Sequence, residues 1–106
     1  MNNFYRLYSS LPQSENHLTY AEIHLDALAH NYRTLRAHVR PHGAPRIIAV
    51  VKADAYGHGA PACVRTLLGE GCDFFAVATA AEALAARAIC PKAAILVLGY
   101  TPPSLA

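Results

Sequence analysis

The 106 residues suffice for one modest domain, and at 54% hydrophobic and 15% charged they are too apolar for a disordered chain. A net charge of +2, with basic residues scattered rather than striped and no basic-plus-aromatic pattern, leaves no footprint for nucleic acid. No run reaches the roughly 18 apolar residues of a membrane span.

Residues 1–19 read as an irregular leader, polar at Asn2, Asn3, Ser9, Ser10, Pro12, Ser14 and Asn16, with no apolar core of a secretory signal. Ala21, Ile23 and Leu25 then alternate with Glu22 and His24, which predicts a half-buried strand. Asp26 is placed to cap a helix carrying Leu28, Tyr32, Leu35 and Val39 on one face, ended by Pro41 and Gly43. The run 47–51 is apolar throughout and predicts a strand covered on both faces. Pro61 opens a second helix with Val64, Leu67 and Leu68 inward, and Gly69 and Gly71 stop it. Residues 74–78 form the next apolar strand. Thr79-Ala80-Ala81-Glu82 is a capping box for a third helix through Leu84, Arg87 and Ala88. Residues 94–98 are a last apolar strand, closed by Gly99, and Tyr100-Thr101-Pro102-Pro103 begins a loop.

This β-α-β-α-β-α-β order predicts parallel strands with right-handed crossovers. A closed (β/α)8 barrel takes about 250 residues, so the expected fold class is α/β: the N-terminal portion of a TIM-like barrel, truncated after about three barrel strands. Residues 20–106 form the barrel part. The low charge suggests a surface covered by something else. Cys63, Cys72 and Cys90 have no CxxC spacing, and an odd count favours reduced, cytoplasmic thiols over a disulfide framework.

Lys52 stands out. The chain has two lysines, Lys52 and Lys92, against seven arginines. Lys52 follows an apolar strand and precedes Ala53-Asp54-Ala55-Tyr56-Gly57-His58-Gly59. Strand exits are where α/β folds carry chemistry. A lysine amine has an ordinary pKa of about 10.4, and making it basic near neutrality takes roughly 4 kcal/mol. Attachment to an aldehyde cofactor, most commonly pyridoxal phosphate, avoids that cost. Asp54 would share Lys52's side if the strand continued, and a carboxylate there would favour the charged ammonium. Tyr56 offers a phenol near the amine.

Other readings of these residues are weaker. A strand-end lysine taken alone is usually a surface residue. Gly57-His58-Gly59-Ala60-Pro61-Ala62 fits a dinucleotide fingerprint, but it lies too far from the strand, Asp73 comes too early for the ribose acid, and Glu82, nearer that distance, is accounted for by the capping box. His38 and His42 have a metal-pair spacing, but Pro41 between them breaks the helix. His58 is read as a structural hydrogen-bonding group of the turn, and the cysteines as buried small residues.

The eleven residues Ala49-Val50-Val51-Lys52-Ala53-Asp54-Ala55-Tyr56-Gly57-His58-Gly59 resemble the pyridoxal-phosphate attachment segment of the alanine racemase family. Residues 21–28 with Asn31 resemble the family's opening segment. Residues 75–78 with Glu82-Ala83 resemble its next strand and helix, and residues 95–99 the strand after. The resemblance implies that Lys52 carries the cofactor as a Schiff base and serves as one of two catalytic bases. Tyr56 would sit near the cofactor phosphate, and Leu98 and Val50 would line its ring. It also implies interconversion of L- and D-alanine in a cytoplasmic homodimer, supplying D-alanine for peptidoglycan. No nucleic acid, membrane or metal is implied. The family's second base, its main phosphate clamp and the arginine facing the pyridine nitrogen come from sequence not present here, so the 106 residues alone are expected to be inactive. Rival readings are another racemase or decarboxylase of this barrel class, a non-enzymatic pyridoxal-phosphate-binding protein, or an interaction module.

Overall fold

The computed structural model describes residues 4–8 and 19–105. Two strands open the chain, β1 (Phe4–Tyr8) and β2 (Tyr20–His24), followed by helix α1 (Leu25–Val39). Next come β3 (Ala49–Val50), a helical turn α2 (Lys52–Tyr56) and α3 (Ala60–Gly69). The chain continues through β4 (Phe74–Val77), α4 (Ala80–Ile89) and β5 (Ala94–Val97). Strands β3, β4 and β5 form a parallel sheet in that order, while β1 and β2 form a separate antiparallel pair.

Two expectations are corrected here. The strand at residues 20–24 does not join the parallel series, and residues 4–8 form its partner strand instead of part of an irregular leader. The physical reason lies in the pattern. Residues 21–25 alternate, which suits an antiparallel strand with one wet face, whereas parallel strands are continuous apolar runs. The polar residues that prompted the leader reading, from Asn2 and Asn3 to Asn16, lie outside the described residues. The second correction is to the cap of α1. His24 occupies the N-cap position without a side-chain bond, and Asp26 lies inside the first turn. There its carboxylate accepts from Ala27 N–H at 2.9 Å and complements the helix dipole.

Strand β3 is shorter than its apolar run. Among the described residues it is an edge strand paired only with β4, through Ala49 opposite Phe75 and Val50 opposite Ala76. Ile47 and Ile48 extend beyond that ladder. On the covered face, Phe75 and Val77 from β4 meet Val64 and Leu67 from α3 and Ala86 from α4, and Phe75 and Val64 are 0% exposed. Cys63, Cys72 and Cys90 are free and buried in the same core. Burial pushes the Cys63 and Cys90 thiols up, which keeps them protonated and inert. The opposite face of the sheet is left open among the described residues. Ile48, Val50, Leu96 and Leu98 remain substantially exposed along it.

The connections are tied by side chains. Thr79 caps α4 by accepting from Glu82 N–H at 3.2 Å, as the capping box predicts. The Arg87 guanidinium donates to Cys90 O, Pro91 O and Ala93 O, fixing the passage from α4 to β5. Arg33 pairs with the Glu70 carboxylate and Arg36 donates to Glu70 O, joining α1 to the end of α3. Gly99 leaves β5 so close to β4 that an added Cβ would lie 2.5 Å from Ala78 O. Gly99→Ala is therefore expected to destabilise by about 1–3 kcal/mol, read as a lower urea midpoint at constant m.

Candidate functional site

The site is built at the C-terminal end of the parallel sheet, where β3, β4 and β5 release Lys52, Ala78 and Leu98. Val51 N–H still donates to Ala76 O at 2.9 Å, and Leu98 N–H to Val77 O at 2.8 Å, so both outer strands are held up to these exits. Past Val51 the chain leaves the sheet. Ala53, Asp54, Ala55 and Tyr56 all have φ between 52° and 57°, and Gly57 has φ 86°. This is a left-handed turn made largely from residues other than glycine, which is disfavoured by roughly 1–2 kcal/mol per residue.

Backbone bonds within the turn, and side-chain bonds at its edges, hold that conformation. Gly57 N–H donates to Ala53 O and His58 N–H to Ala55 O, both at 3.0 Å, and Gly59 N–H donates to Asp54 O at 2.9 Å. His58 Nδ1 bonds Ala55 O at 2.9 Å, the structural role expected for it. The Asp54 carboxylate accepts from Ala60 N–H at 2.7 Å and so anchors the start of α3. It is thereby turned from the position that a continuing strand would have given it beside Lys52. At Gly59, φ is 94° and an added Cβ would collide with the Tyr5 hydroxyl, so β1 closes over the loop. That buried hydroxyl has no hydrogen-bond partner among the described residues.

The strain makes a test. At Ala53 (φ 52°) glycine removes the left-handed penalty, so Ala53→Gly is expected to be neutral or stabilising by up to about 1 kcal/mol. At exposed Ala88, inside right-handed α4, the same exchange is expected to cost about 1 kcal/mol. Paired chemical denaturation curves compare the two.

Lys52 is partly buried, and its Nζ lies 5.9 Å from the centroid of the Tyr56 ring. Among the described residues no carboxylate forms an ion pair with it. Tyr56 is 60% exposed, and the nearby amine and phenol are both reachable from solvent. Val50 precedes Lys52 by two residues on β3, and in the sheet register it shares a row with Ala76 and Leu96. Val50 and Tyr56 also line a cavity of about 580 Å³ between β3 and the β2–α1 segment, with His24, Asn31 and His58 on its walls. Lys52 and Leu98 are not among its walls. Leu98 immediately follows β5, two strands from the exit that carries Lys52, at the same sheet end and 54% exposed. The structure thus brings Lys52, Tyr56 and Val50 together on one segment and sets Leu98 apart from them across the sheet end.

Sequence reasoning gave Glu82 no place at this candidate site and accounted for it as a helix cap. The Glu82 carboxylate accepts from Ala53 N–H at 2.8 Å and from Ala78 N–H at 2.7 Å. These donors, Ala78 first, hold its pKa below the usual glutamate value, with a smaller contribution from the Lys52 charge. The Thr-x-x-Glu spacing was the available signal, and it also describes an ordinary capping box. His38 and His42 are exposed, and no group of three or more His, Cys, Asp or Glu among the described residues is arranged to hold a metal. No helix of the described residues is long and apolar enough to cross a membrane.

The donor set has a definite chemistry. It offers one amine, one phenol beside it and an apolar sheet face with Val50, Leu96 and Leu98. An amine takes an aldehyde, and an open apolar face suits a flat aromatic ring, so these residues fit an aromatic aldehyde cofactor.

Residues 23–106 match the family model described as alanine racemase, N-terminal domain. The chain is 46% identical over 86 residues to alanine racemase 1 of Caldanaerobacter subterraneus subsp. tengcongensis, covering 81% of this chain and 22% of that protein. It is 47% identical over 90 residues to the alanine racemase of Anoxybacillus flavithermus, covering 83% of this chain and 23% of that protein. The crystal structure of alanine racemase from Corynebacterium glutamicum superposes with a TM-score of 0.66 at 40% identity, over 74% of this chain and 22% of that one. The chain therefore spans a little over a fifth of the length of these relatives.

Proposed function

Because the chain belongs to the alanine racemase N-terminal domain family, we propose that it forms the lysine-bearing part of a pyridoxal-phosphate alanine racemase, with Lys52 as the attachment residue. The observation that carries the reading is the position of Lys52: a partly buried amine at a parallel-strand exit, followed by a left-handed turn pinned from two other elements. The proposed reaction is interconversion of L- and D-alanine, and the proposed architecture is a barrel in which the open sheet face becomes interior surface.

Each residue has a role within this reading. Lys52 Nζ binds the aldehyde and moves the α-proton on one face of the substrate. Tyr56 donates its hydroxyl proton toward the phosphate end. Val50 and Leu98 present apolar surface that excludes water from the ring. When bound, pyridoxal phosphate supplies a conjugated electron-withdrawing ring that lowers the cost of removing the α-proton. Racemisation needs a base on each face of the α-carbon, and Lys52 provides one. We propose a homodimer, a cytoplasmic setting and D-alanine supply for peptidoglycan on the strength of the family alone.

The experiment is a titration of the folded chain with pyridoxal phosphate, followed by visible absorbance. The expected result is a saturable imine band with one cofactor per chain. A folded sample that gives no saturable band would contradict the cofactor reading.

A further inference from the structure

We propose that Glu82 is a positioning residue for Lys52: its carboxylate clamps the exit of β3 to the exit of β4 and so sets the direction in which the lysine amine leaves the sheet. The proposal rests on the reading of Lys52 as the attachment residue and extends it to a residue on another element.

The geometry is specific. Ala53 is the residue immediately after Lys52, and its N–H is bound at 2.8 Å by Glu82 Oε2. The other oxygen, Oε1, binds Ala78 N–H at 2.7 Å, directly past the end of β4. Neither amide has left the sheet region far enough to join a helix ladder in the right-handed sense. Ala53 is already at φ 52°. A donor there needs a partner from elsewhere in the fold, and the carboxylate is that partner.

The residue type matters. A carboxylate has two acceptor oxygens and no donor, so it can satisfy two converging N–H groups at once. Glutamine has one acceptor oxygen, and its NH2 group would face the second N–H. Aspartate is one methylene shorter. A helix cap accounts for the bond to Ala78 at the start of α4 but not for the bond to Ala53, which lies 29 residues away on another element. The clamp also joins parts of the chain that the sheet does not. Ala53 lies beyond the last ladder partner of β3, and Glu82 is the side chain that ties its N–H to α4, whereas Asp54 ties the turn to α3 and Ala55 N–H ties it back to Val51 O.

The test compares the unaltered chain with Glu82→Gln and Thr79→Ala. Each is treated with pyridoxal phosphate and borohydride, and the ratio of adduct on Lys52 to adduct on Lys92 is read by peptide mass. Amide hydrogen exchange at Ala53 and Ala78 is measured on the same samples without cofactor, and far-ultraviolet circular dichroism reports the fold. In the unaltered chain both amides are expected to be protected. In Glu82→Gln the Ala53 amide is expected to lose protection and the Lys52 to Lys92 ratio to fall roughly tenfold, the scale of one charged hydrogen bond. Thr79→Ala removes only the helix cap and is expected to leave the ratio unchanged.

A ratio that survives Glu82→Gln in a folded protein would overturn the positioning role while leaving the cofactor reading intact. Rapid exchange of Ala53 in the folded unaltered chain would overturn the clamp even if Glu82→Gln failed to fold. Absence of any Lys52 adduct in the unaltered chain, with Ala53 protected, would contradict the attachment reading and overturn the positioning role with it.

Discussion

Lys52→Ala is expected to abolish the imine band formed with pyridoxal phosphate, while Lys92→Ala leaves it at full amplitude. The two lysines make the comparison clean, because the chain contains no others. Lys92 is exposed after α4, whereas Lys52 is partly buried at the exit of β3. An exposed lysine forms imines with aldehydes only weakly, through its minor neutral amine form, but a lysine held between a strand exit and a pinned turn loses less freedom on attachment. Lys52→Arg tests charge separately from nucleophilicity. Arginine keeps the cation but stays protonated, so it is expected to lose the band as completely as alanine. The alanine variant should keep its fold, since no ion pair of Lys52 within the described residues is removed.

The second large effect is on stability. Phe75 is 0% exposed on the central strand of the sheet, packed among the buried side chains of α3 and α4. Truncation of such an aromatic to alanine costs about 3–5 kcal/mol, from lost burial and from the cavity left behind. Small domains are stable by only about 5–15 kcal/mol in total. Phe75→Ala is therefore expected to lower the urea midpoint severely or to leave the chain unfolded in buffer, read by near-ultraviolet circular dichroism. Leu84→Ala is the control. Leu84 is 74% exposed on α4, so its truncation is expected to stay within about 0.5 kcal/mol of the unaltered chain.

Much of the α/β core was legible because its signals are local. Pro61 at the first turn of α3, Thr79 and Glu82 at the start of α4, and the unbroken runs at 74–78 and 94–98 each fix an element by residue type alone. The parts that were not legible depend on partners distant in the chain. Alternation at 21–25 predicts a strand but does not say which strand it joins, and the partner Phe4–Tyr8 sits among polar residues that mask it.

The left-handed turn is the clearest case. Ala53, Asp54, Ala55 and Tyr56 carry no preference for positive φ apart from a modest one at Asp54, and the sequence marks the turn only at Gly57. Besides the bonds within it, the turn is held by Glu82 from α4 and by the attachment of Asp54 to α3, and no local spacing shows that either side chain reaches these partners. The proposed role of Lys52 rests on its flanking residues. Tyr56 and Val50 follow it on the same segment, but Leu98 comes from a strand whose place in the sheet only the fold defines.

The most direct test of the central claim is peptide mapping of the borohydride-reduced complex of the chain with pyridoxal phosphate. The expected result is a single dominant reduced adduct on the peptide containing Lys52. A dominant adduct on Lys92, or a folded chain with no adduct, would contradict the assignment of Lys52 as the cofactor lysine.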